Sequence, residues 1–193
     1  MNFFRFNVKE DLSSNTTLKS SSQRTIRLKL STQMPYLLHP INQSSETNTT
    51  TPNLLCPKKE SLNLLKCRDH VSILSCNGQL LFFQHFDGPY FPTLKILHKY
   101  PQLLPKVQVD RGAIKFVLAG ANIMCPGLTS AGARLPNDLP INVPVAVHAE
   151  GKESACAIGF TQMSGEEMKK INKGVGVDNV HWLGDDLWCI DKI

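Results

Sequence analysis

Arg111 and Lys115 stand four residues apart with Gly112 between them, and Gly120 follows five positions later. These are residue types that hold an anion: the side chains supply charge, and backbone without a Cβ lets a phosphate or ribose come close. Ala121, Asn122, Met124, Pro126 and Gly127 complete the stretch, which reads Val-Asp-Arg-Gly-Ala-Ile-Lys-Phe-Val-Leu-Ala-Gly-Ala-Asn-Ile-Met-Cys-Pro-Gly over 109–127. From the bare pattern, glycines that only permit tight packing and turns are the more economical reading, because a short glycine-bearing helix is a weak motif. The order of the whole segment carries more weight than its glycines.

Other chemistries find less support. Ser130 lies in Gly-Leu-Thr-Ser-Ala-Gly, which lacks the G-x-S-x-G elbow, and the six histidines form no H-E-x-x-H pair. No catalytic residue is assigned. Cys56, Cys67, His70 and Cys76 invite a zinc reading, but only Cys67 and His70 have ligand spacing, so thiols without metal are expected. Asp185-Asp186 reads more simply as an exposed turn than as a metal-binding pair. Neither metal nor cofactor is expected.

The anion-binding stretch needs elements to position it. Asp110 can cap a helix over 111–119, Gly120 can end it, and strands over 106–110 and 121–125 flank it, the second running into Pro126-Gly127. Residues 126–144 read as mostly loop. Strands over 145–149 and 155–161 around Glu150-Gly151-Lys152-Glu153 form a hairpin. Ser164-Gly165-Glu166-Glu167 is a capping box opening a helix over 165–173 that Gly174 stops. A last strand over 179–183, with a possible further one over 187–190, closes a partly open β-barrel.

Upstream, Val71-Ser72-Ile73-Leu74, Asn77-Gly78 and Leu80-Leu81-Phe82-Phe83 predict two strands joined by a tight turn, since Asn-Gly accepts positive φ. Alternation requires Phe82 or Phe83 to face inward. Tyr90, Phe91 and Pro92, in the aromatic-rich stretch 87–92, are the expected partner-binding surface, and a short helix follows over 93–99. A basic amphipathic helix with Leu18, Ile26, Leu28 and Leu30 ends before Pro35, whereas 42–52 reads as a flexible Ser/Thr/Asn-rich loop. The joint between two units falls at 100–105, giving an N-terminal domain over 1–101 and a second over 104–188.

Composition sets the bounds. At 193 residues the chain has room for two small domains, and 41% hydrophobic residues allow a modest core. The net charge of +5 mildly favours polyanionic partners. Six dispersed cysteines without a C-x-x-C pair, no signal-like N-terminus and no apolar run of about 20 residues point to a cytoplasmic protein with reduced thiols. On that placement, the sequons at Asn15, Asn42 and Asn48 are composition and not modification.

Several stretches together resemble one family. They are Asn77-Gly78-Gln79-Leu80-Leu81-Phe82-Phe83, Gly88-Pro89-Tyr90-Phe91-Pro92-Thr93-Leu94, Leu97-His98-Lys99-Tyr100-Pro101, 110–118, 120–130, Ala149-Glu150-Gly151-Lys152 and Asn172-Lys173-Gly174. The chain is similar over about 67–188 to the malignant T-cell-amplified sequence family, known in yeast as a translation machinery-associated PUA protein. The resemblance implies an α+β protein: a small α/β N-terminal domain, then a PUA-type pseudo-barrel of mainly antiparallel strands with short helices. It implies a non-catalytic RNA-binding translation factor that pairs with a density-regulated-protein-like partner, itself similar to a start-codon factor, on the small ribosomal subunit.

The implied roles are reinitiation, non-standard initiation and release of tRNA during recycling. The PUA domain would face tRNA, at its 3′ end, and the N-terminal domain would meet ribosomal RNA and the partner. Carried over by position, the RNA-facing set is Arg111, Gly112, Lys115, Gly120, Ala121, Asn122, Met124, Pro126 and Gly127. The chain departs from the family in an apparent insertion over 44–52 and in Ala131, where relatives often have proline. Two other readings stay open: the PUA module of an RNA-modification complex, and a protein-interaction adaptor without RNA binding.

Overall fold

A computed structural model describes residues 7–38 and 60–193; the loop expected over 42–52 and Cys56 lie outside them. The chain divides into two compact units. Among the described residues one comprises Asn7–Pro92 with Asp191–Ile193, and the other Thr93–Ile190.

The first unit is built on a five-stranded antiparallel meander. Its strands in order are β1 (Leu12–Thr17), β2 (Leu62–Cys67), β3 (Val71–Cys76), β4 (Gln79–His85) and β5 (Tyr90–Pro92). Asn77 (φ 51°) and Gly78 (φ 77°) make the β3–β4 turn in the left-handed region, as the Asn-Gly pair requires. Phe82 and Phe83 are both buried, and Phe83 stacks on Phe91 with ring centroids 5.3 Å apart. Tyr90, Phe91 and Pro92, expected as a partner surface, are buried in β5 instead: their apolar area is held inside the fold.

Among the described residues two α-helices accompany this sheet, the short α1 (Val8–Asp11) and the 14-residue α2 (Ser20–Gln33). The side-chain amide of Gln33 pairs with the Tyr90 backbone like one more strand residue, donating to its carbonyl at 2.5 Å and accepting from its N–H at 2.8 Å. Helix α2 ends two residues before Pro35. The strand β1, Leu-Ser-Ser-Asn-Thr-Thr, carries no alternating apolar signal, and only its pairing with β2 defines it.

The second unit holds a mixed sheet in the order β6-β8-β9-β10-β7: β6 (Lys106–Val109), β8 (Pro144–Ala149), β9 (Ala155–Thr161), β10 (Val175–Trp182) and β7 (Ile123–Met124). The β6–β8 pair is parallel and the others antiparallel. Val107, Val109, Val117, Ile123, Leu128, Val145, Val147, Met168, Val177 and Trp182 make its core. Helix α3 (Leu94–Lys99), capped by Thr93, packs in this unit, where His98 Nε2 lies 2.8 Å from the Ala155 carbonyl oxygen.

Further helices are α4 (Ile114–Leu118), α5 (Cys125–Thr129), α6 (Gly165–Ile171) and α7 (Asp186–Cys189). The capping box of α6 is complete, with Ser164 Oγ accepting from the Glu167 amide and the Glu167 carboxylate accepting from the Ser164 amide. Asn172 in the left-handed region ends that helix, ahead of Gly174.

Three expectations need correction. Pro126-Gly127 lies in α5 and not at the start of a loop, because proline is tolerated in a helix's first turn, where its missing N–H goes unused. Residues 187–190 are not a strand, since Asp185 caps α7 through the Trp188 amide at 2.8 Å. Nor is Asp185 an exposed turn residue. It is 2% exposed, and its other oxygen lies 2.6 Å from His181 Nδ1 and accepts from the Trp182 amide.

Candidate nucleic-acid interface

The segment 109–127 leaves β6, turns through Asp110–Ala113, forms α4 and β7, and re-enters a helix at α5. Asp110 Oδ1 accepts from the Ala113 amide at 2.7 Å, so the aspartate caps the turn ahead of α4. The Asp110 amide donates to the Gly127 carbonyl at 3.0 Å, which ties the start of the segment to α5. At the other end of α4 the Gly120 amide donates to Val117 and the Ala121 amide to Phe116, the paired bonds of a Schellman cap around a left-handed glycine (φ 82°).

Two backbone amides ahead of α4 are taken by side chains. The Arg111 amide donates to Glu150 Oε2 at 3.0 Å and the Ala113 amide to Asp110, so carboxylates of the chain already occupy them. Side chains carry the exposed charge. Arg111 is 82% exposed, and its Nη2 lies 3.7 Å from Glu150 Oε1, a loose surface pair of the kind that contributes about 0–1 kcal/mol and leaves the guanidinium available. Lys115 is exposed on α4, with Nζ 4.9 Å from the centroid of the Phe116 ring. Gly112 is exposed, and a Cβ there would meet no more than an ordinary contact with Asp110.

Gly120 is different. A Cβ built there would sit 2.6 Å from the Trp182 ring, so this glycine is required by packing as well as by φ. Ala121 and Asn122 are exposed but serve as struts for buried Asn179. Asn179 Nδ2 donates to the carbonyls of Val117 and Ala121, and Asn122 Oδ1 accepts from the Asn179 amide at 3.0 Å. Met124 is half exposed, Pro126 is exposed, and Gly127 packs so close to Ala113 that a Cβ would come within 3.1 Å.

Sequence reasoning passed over four participants. Phe116 and Leu118 are 56% and 42% exposed, apolar surface beside the two cations. Helical spacing held that signal, since Val117 turned into the core sends its two neighbours outward. Glu150 and Asn179 had no such signal, being remote in sequence from the residues they hold. Cys125 within the segment is fully buried, and burial pushes its thiol pKa up; the Cys67 and Cys156 thiols are pushed up to about 11, mainly by burial. Such thiols are packed sulfur and poor nucleophiles. Among the described residues no cluster of three or more His, Cys, Asp or Glu could hold a metal ion, and no helix is long and apolar enough to cross a membrane.

This architecture of a first unit feeding a short-stranded second one is matched by two domain families. Residues 6–101 match the pre-PUA-like domain and residues 105–183 the PUA domain. Translation machinery-associated protein 20 of Schizosaccharomyces pombe is 49% identical over 186 residues, covering 96% of this chain and 97% of its own. Human Malignant T-cell-amplified sequence 2 is 46% identical, with 96% of each chain covered.

Among solved structures, a conserved PUA domain protein from Thermoplasma acidophilum aligns with a TM-score of 0.62 at 20% identity, covering 91% of this chain and 98% of its own. A hypothetical protein from Pyrococcus horikoshii aligns with a TM-score of 0.68 at 22% identity, covering 92% and 99%. Both show the fold alone. The chain belongs to the malignant T-cell-amplified sequence and translation machinery-associated protein 20 family of pre-PUA and PUA proteins.

Proposed function

We propose that this chain is a non-catalytic RNA-binding translation factor whose domain over 104–188 holds RNA through the 111–127 segment. The observation that carries this reading is the exposed combination of Arg111, Gly112, Lys115 and Phe116 on a segment anchored from beneath by Asn179 and Trp182. Cations contact phosphates, and an exposed ring beside them offers a base a stacking face, neither of which needs a particular base sequence. The names of the full-length relatives support a place in translation. The finer reading is action on the small ribosomal subunit with a density-regulated-protein-like partner, in reinitiation, non-standard initiation and tRNA release. In it the 104–188 domain faces the tRNA 3′ end, and the 1–101 domain meets ribosomal RNA and the partner in the cytoplasm.

The test is Arg111→Glu with Lys115→Glu in the full chain. Binding to tRNA and to purified small subunits should weaken by at least about tenfold, with a salt dependence shallower by about one for each phosphate no longer neutralised. Binding to the partner protein should stay intact. Unchanged RNA affinity would overturn the assignment of these residues, and co-purification of neither small subunits nor a start-codon-factor-like protein would overturn the finer reading.

A further inference from the structure

A cavity of about 420 Å3 lies within the second unit, and no residue of the 111–127 segment lines it. Pairing brings its lining together. Gln108 on β6 is in register with His148 on β8, and on its other side the Gln108 amide donates to the Arg134 carbonyl while the Arg134 amide donates back, at 2.8 and 3.0 Å. Directly paired residues share a sheet face, so Arg134, Gln108 and His148 form one row. Lys106, two residues before Gln108, falls on the same face, and Lys152 reaches the cavity from the β8–β9 turn.

The charge on this lining is positive in excess. Lys106, Arg134 and Lys152 face one acid, Glu153, and none of the three cations makes an ion pair among the described residues. Three cations against one carboxylate leave a concave lining net positive, which favours an anion from solution. The rest of the lining is apolar, from Val107, Leu135 and Pro136, with the buried ring of His148. Burial, with the Lys106 charge adding, holds the His148 pKa below the ordinary histidine value, so the ring is neutral at pH 7. The volume falls in the range of about 300–1,000 Å3 typical of small-ligand sites.

We propose that this cavity is a second anion site that takes a nucleoside phosphate, with Arg134, Lys106 and Lys152 on the phosphate and Leu135, Pro136 and His148 against the nucleoside. The ligand is either a free nucleotide or one residue of a bound RNA strand; the second source rests on the RNA-binding reading above. A free nucleotide needs no such premise.

The experiment titrates the full chain with adenosine 5′-monophosphate, inorganic phosphate and a ten-residue oligoribonucleotide, following amide chemical shifts. Saturable binding of the monophosphate, with shifts centred on Val107, Gln108 and His148, is expected. Arg134→Glu with Lys152→Glu should weaken it by about tenfold or more, the order expected when charge-assisted hydrogen bonds are removed. Lys170→Glu with Lys173→Glu, the same change of charge on an exposed surface, should leave it unchanged. If the cavity variant also weakens the oligoribonucleotide more than the control does, the ligand is a residue of RNA; if it does not, the ligand is a free nucleotide. Either result supports the site.

Absence of saturable binding by the monophosphate, or equal weakening by cavity and control variants, overturns the proposal. A urea midpoint checks folding, and Arg134→Gln with Lys152→Gln repeats the measurement should the reversal fail to fold. An oligoribonucleotide affinity unchanged by Arg111→Glu with Lys115→Glu would sink the RNA-binding reading while leaving monophosphate binding in this cavity to be judged by itself.

Discussion

At the start of α4, Arg111, Gly112 and Lys115 are exposed and lightly held; at its end, Gly120, Ala121 and Asn122 are built into the support beneath. The two glycines separate most sharply. Gly112 has room for a methyl group, whereas Gly120 combines a left-handed φ with an approach to Trp182 that no Cβ can make. One short motif therefore holds two kinds of residue, those that meet a ligand and those that keep the first kind in place. A mutation can tell them apart, since support residues move stability first and ligand-facing residues move affinity first.

Gly120→Ala should be the largest perturbation, costing about 3 kcal/mol from positive-φ strain and overlap with Trp182. Urea unfolding followed by tryptophan fluorescence would read it, and a loss under about 0.5 kcal/mol would make Gly120 another ligand-facing glycine. Asn179→Ala comes next, at about 2 kcal/mol, because it removes the side-chain donor to the Ala121 carbonyl and one of the donors to the Val117 carbonyl. Its RNA affinity should fall only in step with the folded fraction.

Phe116→Ala sharpens the other side of the comparison. Oligoribonucleotide affinity should drop by about tenfold, the order of one base stacked on an aromatic ring, with the unfolding midpoint unmoved. A lowered midpoint with unchanged affinity would move Phe116 among the supports. Gly112→Ala is the smallest change, within about 0.5 kcal/mol in stability. A measurable loss of RNA affinity from it would mean that a ligand approaches the backbone at that point.

Local patterns were the legible part of this chain. Asn77-Gly78 announced the β3–β4 hairpin and Ser164 with Glu167 the α6 capping box, because each acts within a few residues of itself, whereas Asp110 closes a turn and the helix expected over 111–119 begins only at Ile114. Strand β1 escaped notice since its Ser, Asn and Thr residues show no apolar alternation and are held only by β2. Helix α5 escaped because Pro-Gly usually signals a turn, and the tie from Asp110 to Gly127 is a tertiary bond. Burial of Tyr90, Phe91 and Pro92 reversed an expected surface, as aromatic clustering has the same signature in a core and at an interface.

Sequence alone was enough for the residue types at the candidate interface, their spacing on α4 and the family to which they point. Which of them meet a ligand and which are supports was decided by tertiary structure. Asn179 lies 57 residues from Asn122 and 62 from Val117, and Trp182 is equally remote from Gly120. Hydrogen bonding and steric exclusion act over a few ångströms, so partners this far apart in the chain become neighbours only when β10 and β7 pair at the end of the sheet.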